Sequence, residues 1–180
     1  MKVGTRVNRK AAEHYETIPT ADICKLDIGK ICKENSICMI WTPFAKINEA
    51  LRVMDAWGFV YLNKMTWIKT NSDGSPRMGI GNIVRNCAED ILIGRRGHVR
   101  NPEPANRFLS VFFADQSDHS RKPPESYDII QSMFPTLTKI EIFARWVYPG
   151  WTGVGNEAEI EPHEYKRRNG MDTTVYEVDE

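Results

Sequence analysis

Short apolar runs, each bounded by turn residues, alternate along this sequence with segments of helical period, and few architectures accommodate that alternation. Ser36 to Trp41, SICMIW, lies between Asn35 and Pro43 and suits a buried strand. Ile47, Ala50, Leu51, Met54 and Trp57 then recur at three- and four-residue steps, which predicts a helix with one apolar stripe and Gly58 as its C-terminal cap. Val60 to Ile68 returns to β-branched and aromatic residues. EDILIG (Glu89–Gly94), LSVFF (Leu109–Phe113) and KIEIFA (Lys139–Ala144) read as further strands. Pro123 and Pro124 open a second helix, with an apolar face of Tyr127, Ile130 and Phe134, and Pro135 ends it. The pattern predicts an open α/β sheet covered by helices on both faces. Such sheets place ligands beyond the carboxyl ends of their strands.

At 180 residues the chain suits one domain with a substantial core. No apolar run is long enough to span a bilayer, and the basic N-terminus (Lys2, Arg6, Arg9, Lys10) is not followed by the apolar segment of a secretory signal. A cytoplasmic protein without membrane contact is the expectation. Cys24, Cys32, Cys38 and Cys87 have no C-x-x-C pairing and read as reduced structural thiols. His14, His98, His119 and His163 lack ligand spacing, so no metal is expected.

The formal net charge is zero, but it is unevenly spread. From Glu157 onward eight acids face three bases, while Lys69, Arg77, Arg85, Arg95, Arg96, Arg100 and Arg107 fall in segments that read as loops. Any basic surface for nucleic acid is therefore local. Asn71 to Gly81, NSDGSPRMGIG, is rich in turn residues and has no hydrophobic period. With Lys69, Arg77 and Arg85 around it, the segment to Arg85 reads as one that closes over an acceptor strand. The sequence contains no dinucleotide-binding glycine motif, Walker loop, nucleophile elbow or metal helix.

A series of blocks carries the functional reading. HYETIPTADI (14–23), IWT (40–42), ALRVMDAWGF (50–59) and WIKTN (67–71) come in order, followed by RNCAEDILIGRRG (85–97), HSRKPPESYDII (119–130), KIEIFAR (139–145) and GWTGVGNE (150–157). The series resembles the MT-A70 family of adenine-amine methyltransferases, across roughly residues 13 to 157. The resemblance implies a Rossmann-like methyltransferase domain over 1–157 and a charged tail over 158–180. S-adenosylmethionine is the implied cofactor and DNA or RNA the implied partner.

By that resemblance Lys122 reaches the carboxylate of the cofactor, a placement that a neighbouring helix N-terminus favours. Glu141, Phe143, Arg145, Asn156 and Glu157 line the rest of its pocket, Phe143 by packing on the cofactor and Asn156 and Glu157 by bonding its ribose and adenine. Glu141 is an acid within an apolar strand, which needs a partner; Arg145 or a ligand would serve. Tyr15, Trp67, Lys69 and Glu89 match the acceptor side, where chemistry on an extruded base needs an aromatic face and polar groups for its edge. Trp67 also fits a sheet-buried tryptophan, Lys122 an exposed lysine at a helix start, and Asn156 an ordinary Gly-Asn turn.

Enzymes of this family carry Asp-Pro-Pro-Trp at a strand end before the block that matches His14, and this sequence holds no such tetrapeptide. Its acceptors would stabilise charge developing on the amine nitrogen, so no catalytic residue is assigned. The expectation is a missing N-terminal strand and a chain inactive alone. A truncated gene, a dead paralogue and a subunit completed by another chain or a second copy compete to explain it. A non-catalytic nucleic-acid-binding or scaffold subunit is the main alternative, and a small-molecule methyltransferase a third.

Overall fold

The structure is a computed structural model that describes residues 17–116, 121–145 and 147–155. It divides into two compact units, one running to Asn101 and including Leu109–Asp115, the other formed by Pro102–Phe108 and the chain from Gln116 onward. The stretch expected to be a charged tail lies outside the described residues.

The first unit is an open sheet with helices. Its strands are β1 (Ser36–Thr42), β2 (Val60–Thr70), β3 (Ala88–Arg96) and β4 (Val111–Asp115), in the order β1-β3-β2-β4. β3 pairs antiparallel with both β1 and β2, and β4 pairs parallel with β2. The chain is mixed α/β, as expected, and the sheet is mixed in direction. Alternation decides what each face carries. Thr42, Lys64, Thr66, Thr70 and Asp90 fall on one face, and Trp41, Met65, Trp67, Lys69, Glu89 and Ile91 on the other.

Helix α1 (Thr20–Ile23) is a single turn, and α2 (Ile47–Ala56) is the predicted amphipathic helix. Its buried residues are Ala50, Val53 and Met54. Val53 was not part of the stripe read from the sequence, which placed the centre of the apolar arc slightly off. Trp57 Nε1 donates to the Ile23 carbonyl at 3.0 Å and ties the two helices together. Gly58 follows with φ of 77°, a left-handed conformation that terminates the helix at no Cβ cost. Ile91, Leu92, Met65, Trp67, Met54 and Phe59 form the buried centre of this unit. Each such side chain contributes about 1.5–3 kcal/mol by leaving water.

The second unit holds α3 (Pro124–Met133), β5 (Ile140–Ile142) and β6 (Thr152–Val154). β5 and β6 run parallel, with Glu141 opposite Gly153. α3 begins at the predicted proline pair, where the missing N–H groups are not needed. Its buried residues are Ser126, Tyr127 and Ile129. Ile130, expected on the apolar face, is only half-buried and Ile129 takes the inward position. No described helix is long and apolar enough to cross a membrane. The four cysteines are free thiols, and burial, aided by neighbouring Cys32, pushes Cys38 up to about 12.

Candidate cofactor and acceptor sites

β2 and β3 bring together two of the residues expected on the acceptor side, Lys69 and Glu89. Lys69 and Glu89 lie on the same face, two residues apart in register, so their side chains meet diagonally. Lys69 Nζ stands 2.5 Å from Glu89 Oε1 and 5.1 Å from the centre of the Trp67 ring. Both charged side chains are largely covered, at 17% exposure each, which makes the pair stronger than one on the open surface. Such a pair offers donors and a carboxylate acceptor in fixed places, which is what holding a base edge requires.

Trp67 is only 1% exposed. Its Nε1 donates to the Ala114 carbonyl at 2.8 Å, and its ring meets Trp41 edge-on with centroids 6.0 Å apart. Of the two readings open for this residue, the structure places it inside the sheet packing. The Lys69 ammonium lies over its ring. Tyr15 lies outside the described residues.

The opposite face carries a polar network that the sequence reading missed. Asp90 is completely buried, yet Lys64 Nζ lies 2.8 Å from Oδ2 and Thr66 Oγ1 donates to Oδ1 at 2.7 Å. Further along, Thr70 Oγ1 donates to Asp115 Oδ1 at 2.6 Å. The signal was available: within Val60–Ile68, Lys64 and Thr66 alternate with Met65 and Trp67. Glu89 and Asp90, being adjacent in a strand, must also point to opposite faces.

The second unit gathers four of the residues expected at the cofactor. Glu141 projects from β5 and meets a tyrosine of α3. The Tyr127 hydroxyl donates to both carboxylate oxygens, at 3.0 Å each. Burial raises the Glu141 pKa above the ordinary carboxylate value, while the Tyr127 hydrogen bond and the charge of Lys122 work against that shift. Lys122 is therefore within electrostatic reach of Glu141. Burial, followed by the Glu141 charge, pushes the Tyr127 hydroxyl in turn well above its ordinary value, so it stays a donor.

Tyr127 was expected only as a core residue. It stacks on Tyr148, with centroids 5.1 Å apart and planes 5° off parallel, and Trp151 meets both rings at an edge. The Tyr148 hydroxyl is bonded to Asp128. Phe143, just past the end of β5, has φ of 63° and leaves half of its surface exposed. An aromatic residue in that conformation is strained, and such strain persists only where the surroundings impose it. Arg145 is exposed. Asn156 and Glu157 lie outside the described residues. Among the described residues there is no cluster of three or more His, Cys, Asp or Glu able to hold a metal ion.

Comparison with known proteins gives these clusters a context. The MT-A70 family model matches residues 4–157. The chain is similar to the Type II methyltransferase M.MunI of Mycoplasma sp, 27% identical over 147 residues that make up 82% of this chain and 61% of that protein. It is 29% identical over 151 residues to the N(6)-adenosine-methyltransferase subunit METTL3 of Danio rerio, covering 81% of this chain and 25% of that one. The catalytic subunit METTL3 of Homo sapiens is 27% identical over 151 residues, with the same coverage of 81% and 25%. The chain thus spans between a quarter and three fifths of the length of these relatives.

Proposed function

Since the chain belongs to the MT-A70 family, we propose that it serves methyl transfer from S-adenosylmethionine to the exocyclic amine of adenine in DNA or RNA. The observation that carries this reading is the cluster of Glu141, Tyr127, Lys122 and Phe143 in the second unit. Its chemistry fits the cofactor: a cation for a carboxylate, an exposed aromatic face for a flat ring, and a held acid for hydroxyl donors. When bound, S-adenosylmethionine supplies a methyl group on a sulfonium, so no metal or covalent intermediate is called for.

Each protein group then has a defined task. Lys122 stands beside the start of α3, where cation and helix N-terminus together favour a carboxylate. Glu141, held by Tyr127, accepts hydrogen bonds from ribose hydroxyls. Phe143, Arg145, Asn156 and Glu157 complete the cofactor side in this reading. On the acceptor side Lys69 and Glu89 hold the polar edge of a base, with Tyr15 as a contributor and Trp67 as the floor beneath Lys69. A cytoplasmic location belongs to the same reading.

A second reading is favoured by one observation: the 180 residues contain no Asp-Pro-Pro-Trp. The amine of adenine is a poor nucleophile because its lone pair is delocalised into the ring. Acceptors that stabilise the charge developing on nitrogen are what raise the rate, and losing one such preorganised group costs about 3 kcal/mol, roughly a hundredfold or more. By itself this chain would then bind cofactor and nucleic acid without turnover, as a scaffold or as a subunit completed by another chain or a second copy.

Two measurements separate the readings. Calorimetry with S-adenosylhomocysteine at millimolar concentration should detect binding to the 180-residue chain; a folded sample that takes up no heat counts against a cofactor site. Labelled methyl should not enter adenine-containing oligonucleotides with this chain alone, and should do so once a strand ending in Asp-Pro-Pro-Trp is fused upstream. Turnover by the unfused chain would show that other residues serve the amine.

A further inference from the structure

The connection between β2 and β3 is built as an irregular hairpin rooted on one residue of the acceptor-side pair. Arg77 N–H donates to the Lys69 carbonyl at 2.7 Å, and Lys69 N–H donates to the Cys87 carbonyl at 2.8 Å. Further out, Gly79 N–H donates to the Asn86 carbonyl at 2.9 Å. Near the start, Asn71 N–H donates to the Ser75 carbonyl at 2.9 Å, and Asp73 accepts from Ser75 N–H at the same distance. The chain then packs against itself so closely that only glycine fits at two positions. A Cβ on Gly79 would lie 2.2 Å from the Asn86 carbonyl oxygen, and one on Gly81 would lie 1.7 Å from that of Val84. Backbone contacts of this kind define a shape.

That shape holds aliphatic side chains out in water. Met78 is 72% exposed, Ile80 73%, Ile83 98% and Val84 67%. Single exposed apolar residues are ordinary, but four within seven positions on a bonded hairpin mark a surface made to be covered. Its charge says by what. Arg77 and Arg85 are exposed on either side of the aliphatic tip, and no acid occurs between Gly74 and Cys87. An apolar wedge between cations complements stacked bases between phosphates, whereas an apolar protein surface alone would leave both arginines unexplained.

We propose that residues 78–84 form a wedge that enters the base stack of a nucleic-acid duplex, Ile83 foremost, while Arg77 and Arg85 engage the flanking phosphates. The inference rests on the reading that this chain acts on adenine in nucleic acid, and adds how a paired adenine is released. Extruding a base leaves a gap in the stack, and unstacking costs a few kcal/mol. Aliphatic side chains that fill the gap offset that cost. Because the hairpin is rooted on Lys69, whose ammonium pairs with Glu89, the wedge and the groups proposed to hold the base edge share one support.

Ile83→Ser tests this in the 180-residue chain. The side chain is almost wholly exposed, so the variant should melt with the wild type. The probes are DNA and RNA duplexes carrying 2-aminopurine in place of one adenine, and the matching single strands. Burial of an isoleucine predicts that duplex affinity falls about tenfold in the variant and that the rise in 2-aminopurine emission disappears. Single-strand affinity should be unchanged, since no gap needs filling. The double variant Arg77→Ala, Arg85→Ala should lower the salt dependence of duplex binding by about two counterions. Equal affinity of wild type and Ile83→Ser for the duplex, or equal losses on duplex and single strand, would overturn the wedge and leave the nucleic-acid reading standing. Altered self-association with unchanged duplex binding would overturn it in favour of a protein-covered surface. Absence of any binding by the wild type would overturn both.

Discussion

The Tyr127 hydroxyl donates to both carboxylate oxygens of Glu141, at 3.0 Å each, and so joins the buried face of α3 to the middle of β5. An acid within a three-residue strand is thereby held in one orientation by a neutral donor. A neutral donor holds the carboxylate without itself cancelling its charge, which agrees with the cofactor role proposed for Glu141.

Tyr127→Phe keeps the ring stacked on Tyr148 and removes only the hydroxyl. The half-buried carboxylate loses its donor, so we expect about 1 kcal/mol of lost stability in urea unfolding. Affinity for S-adenosylhomocysteine should also fall, since Glu141 is free to turn away. A variant as stable as the wild type and binding the ligand equally well would show that the hydrogen bond positions nothing.

The raised pKa of Glu141 gives a second test, with a definite sign. Burial lifts the folded-state value above the unfolded one. As pH rises between the two, the unfolded chain has already released the proton that the folded chain still binds. This group therefore makes stability fall through that window and is without further effect above it. Glu141→Gln should gain on the wild type in melting temperature across the same window and hold a constant difference beyond. Ligand affinity should rise with pH there in the wild type, because hydroxyl donors need the carboxylate, and should be flat in the variant. Parallel melting curves at every pH would rule out this titration.

Lys122→Ala removes the cation proposed for the cofactor carboxylate. Its loss should weaken S-adenosylhomocysteine roughly tenfold, in line with about 1.5 kcal/mol for one charge-assisted contact. Decarboxylated S-adenosylmethionine should bind both proteins alike. If it loses as much as the carboxylated ligand, Lys122 acts on something else.

Lys64 and Asp90 should respond unequally to substitution. The Asp90 side chain is fully buried, whereas that of Lys64 is 44% exposed. Lys64→Met strands the Asp90 charge in the sheet with the Thr66 hydroxyl still bonded to it, for a loss of about 3 kcal/mol. Asp90→Asn leaves a lysine that can turn to water, for about half that loss. Denaturant unfolding of the two variants decides the order, and equal losses would mean that the buried charge is not the expensive partner.

How much could be read in advance differs between elements. The helix from Ile47 and the strands from Ser36, Val60 and Glu89 stand within one or two residues of where periodicity put them. The prediction from Lys139 to Ala144 shrank to Ile140–Ile142, because its end bends at Phe143 into a positive φ that apolar composition does not signal. Lys69 and Glu89 were named singly from a family resemblance. Their pairing depended on register between β2 and β3.

The sequence by itself determined where the chain is extended, where it is helical and which family it resembles, because these are local matters of period, capping and motif order. Only the tertiary structure decided that β3 would run between β1 and β2, and that Trp67 would be sealed in the sheet. Only it matched Tyr127 with Glu141 and Lys64 with Asp90. The reason is physical: a period of two tells which side chains share a face, but not which strand or helix lies beside them. That choice is made by packing and by the need of each buried polar group for a partner, and both are settled between residues far apart in the chain.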